Sequence, residues 1–563
     1  MPGCSNTPVT LFKFINPVTI KPRFRSCISR LLLLTCFFAG QALAEDDADF
    51  STRVQALNVK DFRVKQEAVE QLLALDHLRT LAVAQALLDG NLYYRKSDKQ
   101  VFIVEEAEVG YHLVDPLSGA EAEILSARKV QKIGINNKLR RLLKNGIARL
   151  SLQNPDPAVR LASVRQMYSR MDTASAEQLA TLREVESDPD VIDAIDTGLA
   201  LDGLSSADGR QRLEAIQRLS GSLEPEARNR LQAILGKNAD GEFIESSADV
   251  RKAAKRTLAN TDGKRQLNKL AETLFFGLSL GSVLLLSAIG LAITFGVMGV
   301  INMAHGELMM LGAYTTYLVQ QMMPSHLGAS LLVAVPAAFL VAGAFGIAIE
   351  RGIIRHLYGR PLETLLATFG LSLVLQQLVR TTISAQNVIV SNPAWMSGSL
   401  EINPALSLTY NRLFVIIFSL MVFGLLMLVL KRTSLGLQVR AVAQNRSMAK
   451  AVGIRSDWVD AMTFGLGSGV AGVAGVALSQ LTNVGPNMGQ AYIIDSFMVV
   501  VFGGVGNLWG TLVGAMSLGV ANKFLEPYSG AVLAKILVLV FIVLFIQKRP
   551  RGLFPQRGRA AEG

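Results

Sequence analysis

Two regimes of apolar patterning follow one another along the chain. Between Glu45 and Asp262, hydrophobic residues recur three and four apart among charged ones with no long apolar run, which predicts amphipathic helices. From Lys264 to Lys548 the pattern changes to long apolar runs: Leu274–Val297, Ile301–Gln321, Ala329–Ile349, Thr364–Ile383, Leu413–Leu430, Val459–Leu481, Leu508–Ala521 and Ala531–Ile546. Each approaches the ~20 residues that a membrane-crossing helix needs, except Leu508–Ala521, which is short. A further short segment, Ile493–Val501, runs into Gly503-Gly504 and predicts a ninth crossing or half of a broken helix. The expected fold is all-α: a polytopic membrane domain (residues 263–548) of about eight or nine spans behind a mainly helical soluble domain (residues 45–262).

The soluble stretch carries a weak internal repeat. Phe62–Val69, Pro155–Val164, Asp188–Ile195, Gly209–Ile216 and Ala248–Ala254 each pair a polar turn with a helix whose apolar residues lie three and four apart. This is the pattern of HEAT-like helical repeats, in which stacking neighbours cover each apolar stripe; a non-repetitive helical domain of similar helices would read the same way. Between Leu92 and Val114 the runs turn β-branched and aromatic (Leu92–Lys96, Gln100–Val104, Tyr111–Val114), predicting a small β insertion. His77 and His112 stand alone, and neither a catalytic motif nor a metal-ligand spacing occurs here.

Charge changes the picture in one respect. The net +11 divides into +5 over the first 44 residues, −5 over 45–262 and +11 from residue 263 onward, so the basicity belongs to a leader and to membrane-flanking loops and does not indicate nucleic acid. Residues 1–44 read as a secretory signal, with basic residues up to Arg30, an apolar core Leu31–Gly40 and the small-x-small site Ala42-Leu43-Ala44. Its removal would take Cys4, Cys27 and Cys36, all the cysteines, and leave no disulfide or thiolate chemistry. Export would place residues 45–262 in the periplasm of a Gram-negative cell. The basic loops Arg351–Arg360 and Lys431–Arg455 and the tail 549–563 would lie in the cytoplasm, which requires an odd number of crossings of the inner membrane.

Three motifs stand out. Thr433–Arg455 is a basic stretch of helical character between two apolar runs; Ser434 and Gly436 suit its entry, Gly453 suits a helix C-cap, and no acid falls between Lys431 and Asp457. Ile301–Tyr314 (INMAHGELMMLGAY) puts Asn302, His305 and Glu307 at membrane depth, where ionisable groups face a cavity, a partner or the interface. Gly299 and Gly306 would let a helix break there, while an interfacial turn capped by these side chains is the alternative. Phe502–Ala515 is glycine-dense: Gly503 and Gly504, then Gly506, Gly510 and Gly514 at the four-residue spacing of close helix packing. The other polar in-span residues are Gln376, Gln377, Arg380, Gln480, Asn483 and Asp495.

In this order the three blocks resemble the permeases of ABC importers, in the branch that serves branched-chain amino acids, amides and urea. The resemblance covers most of Leu274–Phe554. It implies that residues 433–456 form a cytoplasmic coupling loop docking separate ATPase subunits, with Ser434, Gly436, Arg440, Ala441, Ala443, Arg446 and Gly453 matching the family's pattern. It also implies a second permease subunit and a periplasmic solute-binding protein as partners, and a solute pathway near Asn302, His305 and Glu307, to which Gln480 and Asn483 are added as polar candidates. No P-loop occurs (Gly236-Lys237-Asn238 lacks both spacing and hydroxyl), and no cofactor or enzymatic activity is expected. The long N-terminal domain resembles, by arrangement, the urea-transporting members, so urea or a short amide is the expected solute. Branched-chain amino acids are the alternative, and a receptor whose solenoid binds a ligand is a third reading.

Overall fold

The computed structural model describes residues 47–75, 77–106 and 111–554. The expected leader and the end of the basic tail lie outside them. The chain divides into two compact units, the first closing at Leu258 and the second beginning at Ala259, with Leu223–Pro225 belonging to the second.

In the first unit, helices α1 (residues 47–56), α2 (Phe62–Leu73) and α3 (Thr80–Asp89) precede a sheet, and α4 (Asn137–Ser151), α5 (Pro157–Met167), α6 (Thr173–Val185), α7 (Pro189–Gly203), α8 (Gly209–Arg218) and α9 (Pro225–Ile234) follow it. The long helix α10 (Ala248–Met298) contributes its first turns. The repeated polar turns are helix caps. Asp61, Asp156, Asp188 and Asp208 each accept a bond from the backbone N–H two residues on, at 2.8, 2.9, 3.0 and 2.9 Å. Such a cap satisfies an otherwise orphaned donor and contributes about 1 kcal/mol.

Four residues after a cap an arginine turns back. Arg160 Nη1 donates to the carbonyls of Asn154 and Pro155, Arg212 Nη1 to those of Ser206 and Ala207, and Arg251 Nη1 to those of Glu245 and Ser246. Arg160 also grips Glu186 through two bonds (2.7 and 2.8 Å), and Arg212 reaches Glu245 at 2.9 Å. Glu186 and Glu245 each stand two residues before the next cap and accept backbone N–H groups there. One repeat is thereby tied to a later one by a charged strut as well as by the shared core of Val191, Ile195, Leu201, Ile216 and Leu231, all fully buried.

The sheet is larger than its apolar runs predict. Strands β1 (Leu92–Arg95), β2 (Val101–Glu106), β3 (Tyr111–Val114), β4 (Glu121–Leu125) and β5 (Val130–Lys132) pair antiparallel in the order β4-β3-β2-β1-β5. The two edge strands are mostly polar and exposed, so they lack the alternation that marks the inner three.

The second unit contains α11 (His305–Met322), α12 (Leu327–Gly352) and α13 (Pro361–Thr382), then a hairpin of β6 (Ser399–Asn403) and β7 (Leu406–Thr409). Helices α14 (Tyr410–Arg432), α15 (Ser434–Gln444), α16 (Arg446–Ala451), α17 (Ser456–Ser479), α18 (Met488–Gly503) and α19 (Leu508–Lys548) complete it. Among the described residues six helices are long and apolar enough to cross a membrane: α10, α12 with its preceding turn, α13, α14, α17 and α19. Helix α19 is two segments. Pro527 lies inside it and Gly530 takes φ +77°, breaking the helix where the apolar pattern separates its last two runs. Helix α18 covers the Ile493–Val501 segment with 16 residues. Within α17 89% of the apolar window is buried, and within α10 78%, against 17% for α19. The first two are therefore central and the last faces outward.

Glu186 is held down to about 2 by its bonds to Arg160 and to two backbone N–H groups. A lowered folded value favours the ionised form, so this contribution is present above the usual value of 4.5 and is lost as pH falls from there toward 2. Glu186→Gln is expected to weaken the α5–α7 contact by about 1–3 kcal/mol at neutral pH, the scale for losing a charged hydrogen bond. Hydrogen exchange of peptides covering residues 157–203 in the full chain should rise, and the wild type should acquire the same exchange only below pH 4.5. Equal exchange in both chains at neutral pH would refute the strut.

Candidate functional site: a broken helix in the membrane unit

The Asn302–Glu307 signature is buried among α10, α13 and α18. Helix α10 stops at Met298, Gly299 reverses the chain at φ +66°, and residues 300–304 lead back alongside α10. His305 then meets Ser287, whose carbonyl accepts its Nε2–H at 2.9 Å. Ser287 lies eleven residues before the end of α10, so the signature reaches roughly 16 Å back into the bundle at 1.5 Å per residue. Gly290 makes room for it: a Cβ there would stand 2.8 Å from the imidazole and 2.3 Å from the Gly467 carbonyl.

Helix α11 thus starts inside protein, and each signature residue joins a different neighbour. Asn302 Oδ1 accepts the Ala304 N–H at 3.0 Å, and the Met303 N–H goes to Thr368 Oγ on α13 at 3.1 Å. Glu307, 1% exposed, accepts Ser372 Oγ–H at 3.0 Å and Gln376 Nε2–H at 2.8 Å on a single oxygen, Oε1. Its Oε2 lies against Gly489 of α18 and has no hydrogen-bond partner; neither do Asn302 Nδ2 and His305 Nδ1. Gly306 does not break the helix. It is where α11 and α18 touch, since a Cβ there would lie 2.3 Å from the Gly489 carbonyl. Ser372 and Thr368 escape a sequence reading because they sit 65 residues from their partners; their spacing with Gln376, four apart on one face of α13, is the only signal.

Helix α17 is the seam on which these helices pack. A Cβ at Gly312 would stand 2.0 Å from the Gly472 carbonyl, one at Gly475 2.0 Å from that of Met309, and one at Gly472 2.4 Å from that of Ala338. Of the two remaining pathway candidates, Gln480 is buried, donates to Ser479 Oγ at 3.1 Å and leaves its Oε1 unpartnered. Asn483 is exposed in the connection after α17, which corrects its placement within a span.

The Thr433–Arg455 stretch forms two helices rather than one. Thr433 caps α15 through a bond from the Gly436 N–H at 3.2 Å, Asn445 interrupts the helix and caps α16 through Met448 N–H at 2.9 Å, and Gly453 ends it at φ +91°. Gly436 lets α15 fold back on α14: a Cβ there would lie 2.1 Å from the Leu430 carbonyl. Gly436, Val439 and Val442 face inward, while Ser434, Leu437, Arg440, Ala443, Met448, Lys450 and Val452 are exposed, and Ala441 is half-buried. Arg440 also donates to the Leu430 carbonyl, and Arg446 pairs with Asp460 on α17, so neither charge is simply solvated. Arg440 and Ala443 line a cavity of about 450 Å³ with Gly506 and Trp509.

The glycine-dense block divides in two. Gly503 and Gly510 meet face to face across α18 and α19, and Gly514 continues that contact. Gly504 and Gly506 are not helical; they take φ +107° and +77° in the turn between the two helices, where Gly296 of α10 closes on Gly506. The four-residue spacing of Gly506 with Gly510 is therefore not a packing repeat.

The branched-chain amino acid transport system permease component family matches residues 273–546. The chain is 32% identical over 291 residues to the high-affinity branched-chain amino acid transport system permease protein LivH of Salmonella typhimurium, covering 50% of this chain and 94% of the relative. This chain belongs to that permease family. It is also 30% identical over 287 residues to BraD of Pseudomonas aeruginosa (49% and 93% of the two chains), and 28% identical over 134 residues to the ribose import permease protein RbsC of Haemophilus influenzae (22% and 42%). No solved structure matches the chain. These relatives are permease components of transporters, not enzymes, and the permease unit here contains both the broken helix and the two-helix segment.

The packing makes a discriminating prediction. Gly472→Leu should unseat α11 and α12 from α17 and lower the melting temperature of the detergent-solubilised permease, since overpacking costs about 1–3 kcal/mol or more. Gly370→Ala on α13, where a Cβ meets nothing within 4 Å, should leave it unchanged or raise it slightly. Equal melting temperatures for both variants would refute the seam.

Proposed function

We propose that this chain is the permease subunit of an ATP-driven importer for branched-chain amino acids. The observation that carries the reading is the similarity to LivH and BraD across nearly their whole lengths. It supports the amino-acid alternative over urea, because the relatives found are described as branched-chain amino acid permeases and the match lies within the membrane unit, outside the N-terminal domain that had suggested urea. The broken start of α11 is where the solute would pass. Glu307 Oε2 and Asn302 Nδ2 are buried without partners, so an ammonium and a carboxylate of a zwitterionic amino acid would each find a complementary group there. His305, bonded to α10, would position this segment, and Gln480 Oε1 is a further buried acceptor.

The α15–α16 segment would receive the ATPase subunits. Its exposed face carries Leu437, Met448 and Val452, 63%, 62% and 71% exposed, beside Arg440 and Lys450, a mixed apolar and basic surface suited to a protein partner. A second permease subunit and a solute-binding protein complete the reading. The chain would lie in the inner membrane with residues 45–262 outside, and α15–α16 and the tail inside, a placement supported by the basic residues of those loops.

Uptake of labelled leucine and of urea at low external solute, in cells with and without this chain, tests the substrate. Loss of leucine uptake alone is expected, and loss of urea uptake alone would overturn the amino-acid reading. Glu307→Gln should lower leucine uptake on the order of tenfold or more with membrane levels intact, the effect of weakening one charge-assisted hydrogen bond. Met448→Glu should release the ATPase subunits on purification; undiminished co-purification would remove α16 from the docking surface.

A further inference from the structure

Helix α4 carries the opposite charge to the unit it belongs to. Residues 45–262 sum to −5, yet α4 holds Lys138, Arg140, Arg141, Lys144 and Arg149 and no acid. Its amphipathic pattern buries Leu139, Leu143 and Ile147 and leaves these cations exposed. Three of them line a groove of about 760 Å³ formed by α2, α4 and α6. Helices α2 and α4 touch within it at Gly146, where a Cβ would stand 2.3 Å from Leu73 Cδ1.

Lys138, Arg141, Asn145 and Arg149 line the groove at spacings of three and four, so they follow one face of α4, and Gln153 lies just past its end. Lys138 and Arg149 are eleven residues apart, roughly 16 Å along a helix. That length suits about five residues of extended chain, whereas a compact ion would engage only one part of it. Lys138 and Arg141 form no ion pair among the described residues, and Arg141 bonds only the Asn137 carbonyl of its own helix, at 3.2 Å. Arg149 is held by Asp172 and Ser175, at 3.4 and 3.3 Å, through Nη2 alone. Three cations thus face one acid, Glu70, and its Oε1 already accepts the Gln66 amide at 2.8 Å. The side chains of Asn145, Gln153 and Gln178 bond no protein group among the described residues. Each offers a donor and an acceptor side by side, the complement of a peptide C=O and N–H.

We infer that this groove binds an extended acidic peptide segment of a partner protein. The segment's carboxylates lie on Lys138, Arg141 and Arg149, and its backbone lies on the free amides. The length of the cationic row and the amides beside it favour a peptide over a free anion. The family match begins at residue 273, so the relatives assign nothing to this surface.

The test uses the full chain in detergent and a fluorescein-labelled peptide of about six residues, alternating glutamate and alanine, with anisotropy as the readout. Saturable binding is expected, weakened on the order of tenfold when glutamines replace the glutamates. Arg141→Glu should weaken it by at least as much. Arg140→Glu makes the same charge change at a position outside the groove and should leave the affinity nearly unchanged. Asn145→Leu keeps every charge and should still weaken the peptide several-fold, which a purely electrostatic patch would not show. Melting temperatures report whether each variant keeps the fold; if Arg141→Glu melts lower, Lys138→Gln at the exposed start of α4 makes the same comparison. Absence of saturable binding, equal losses in Arg140→Glu and Arg141→Glu, or wild-type binding by Asn145→Leu would each overturn the peptide site. Tripolyphosphate that displaces the labelled peptide as well as the unlabelled peptide does would overturn it in favour of a simple anion site.

Discussion

The membrane unit depends on backbone-to-backbone contact along α17. In lipid, hydrocarbon surrounds a helix whether or not it has a protein neighbour, so association rests on close van der Waals approach and weak Cα–H···O contacts rather than on a hydrophobic drive. Gly467, Gly472 and Gly475 put α17 against α10, α12 and α11 at distances that leave no room for a Cβ. These contacts place α17 at the centre, where nearly nine-tenths of its apolar window is enclosed, and fix where α11 can begin. The signature follows from that placement. His305 fits against α10 because Gly290 is small, and Glu307 reaches α13 because α11 starts at that depth.

Much of this was legible in the chain, and the failures have identifiable causes. All nine apolar segments carry helix, Ile301–Gln321 only from His305 on, and the polar turns of the N-terminal half are aspartate caps, since both signals are local: one is a run length, the other a side chain bonding two residues ahead. The break at Asn445 was hidden because asparagine tolerates a helix and also caps one, and only the course of α16 decides between them. Gly506 shares its spacing with true packing glycines but sits in a turn, which its φ reveals and its neighbours in sequence do not. Glycine density showed that helices pack tightly here; which glycine meets which depends on the register of two helices that are often far apart in sequence. Asp460 carries no signal of its own in the sequence. Its burial against Arg446, fourteen residues earlier, is a product of the fold.

The N-terminal unit has a different physical basis. It folds around fully buried aliphatic side chains in two main clusters, with Leu57, Leu72, Leu87 and Leu143 in one and Val191, Ile195, Ile216 and Leu231 in the other. Burial of this apolar surface supplies the drive, and the charged struts add register between repeats. Arg160 and Arg212 each satisfy two loop carbonyls while holding the glutamate that precedes a later cap, so a single side chain fixes a turn and a neighbour together. The family match begins at residue 273, beyond this unit, so its task is set by its own surfaces and not by the resemblance of the membrane half.

The two buried glutamates of the membrane unit are equally hidden but unequally comfortable. Glu307 lies in the first turn of α11, where the helix dipole favours a negative charge, and it accepts two side-chain donors. Glu350 lies in the last turn of α12, where the dipole opposes a negative charge, and its Oε2 has no donor. A carboxylate in the first setting can persist as a fixed feature of the interior. One in the second has only the neighbouring charges of Arg351 and Arg355 to offset the dipole, with no bond from either to its Oε2. The difference between the two glutamates is therefore one of donors and of position along a helix and not of burial, since both are almost fully enclosed.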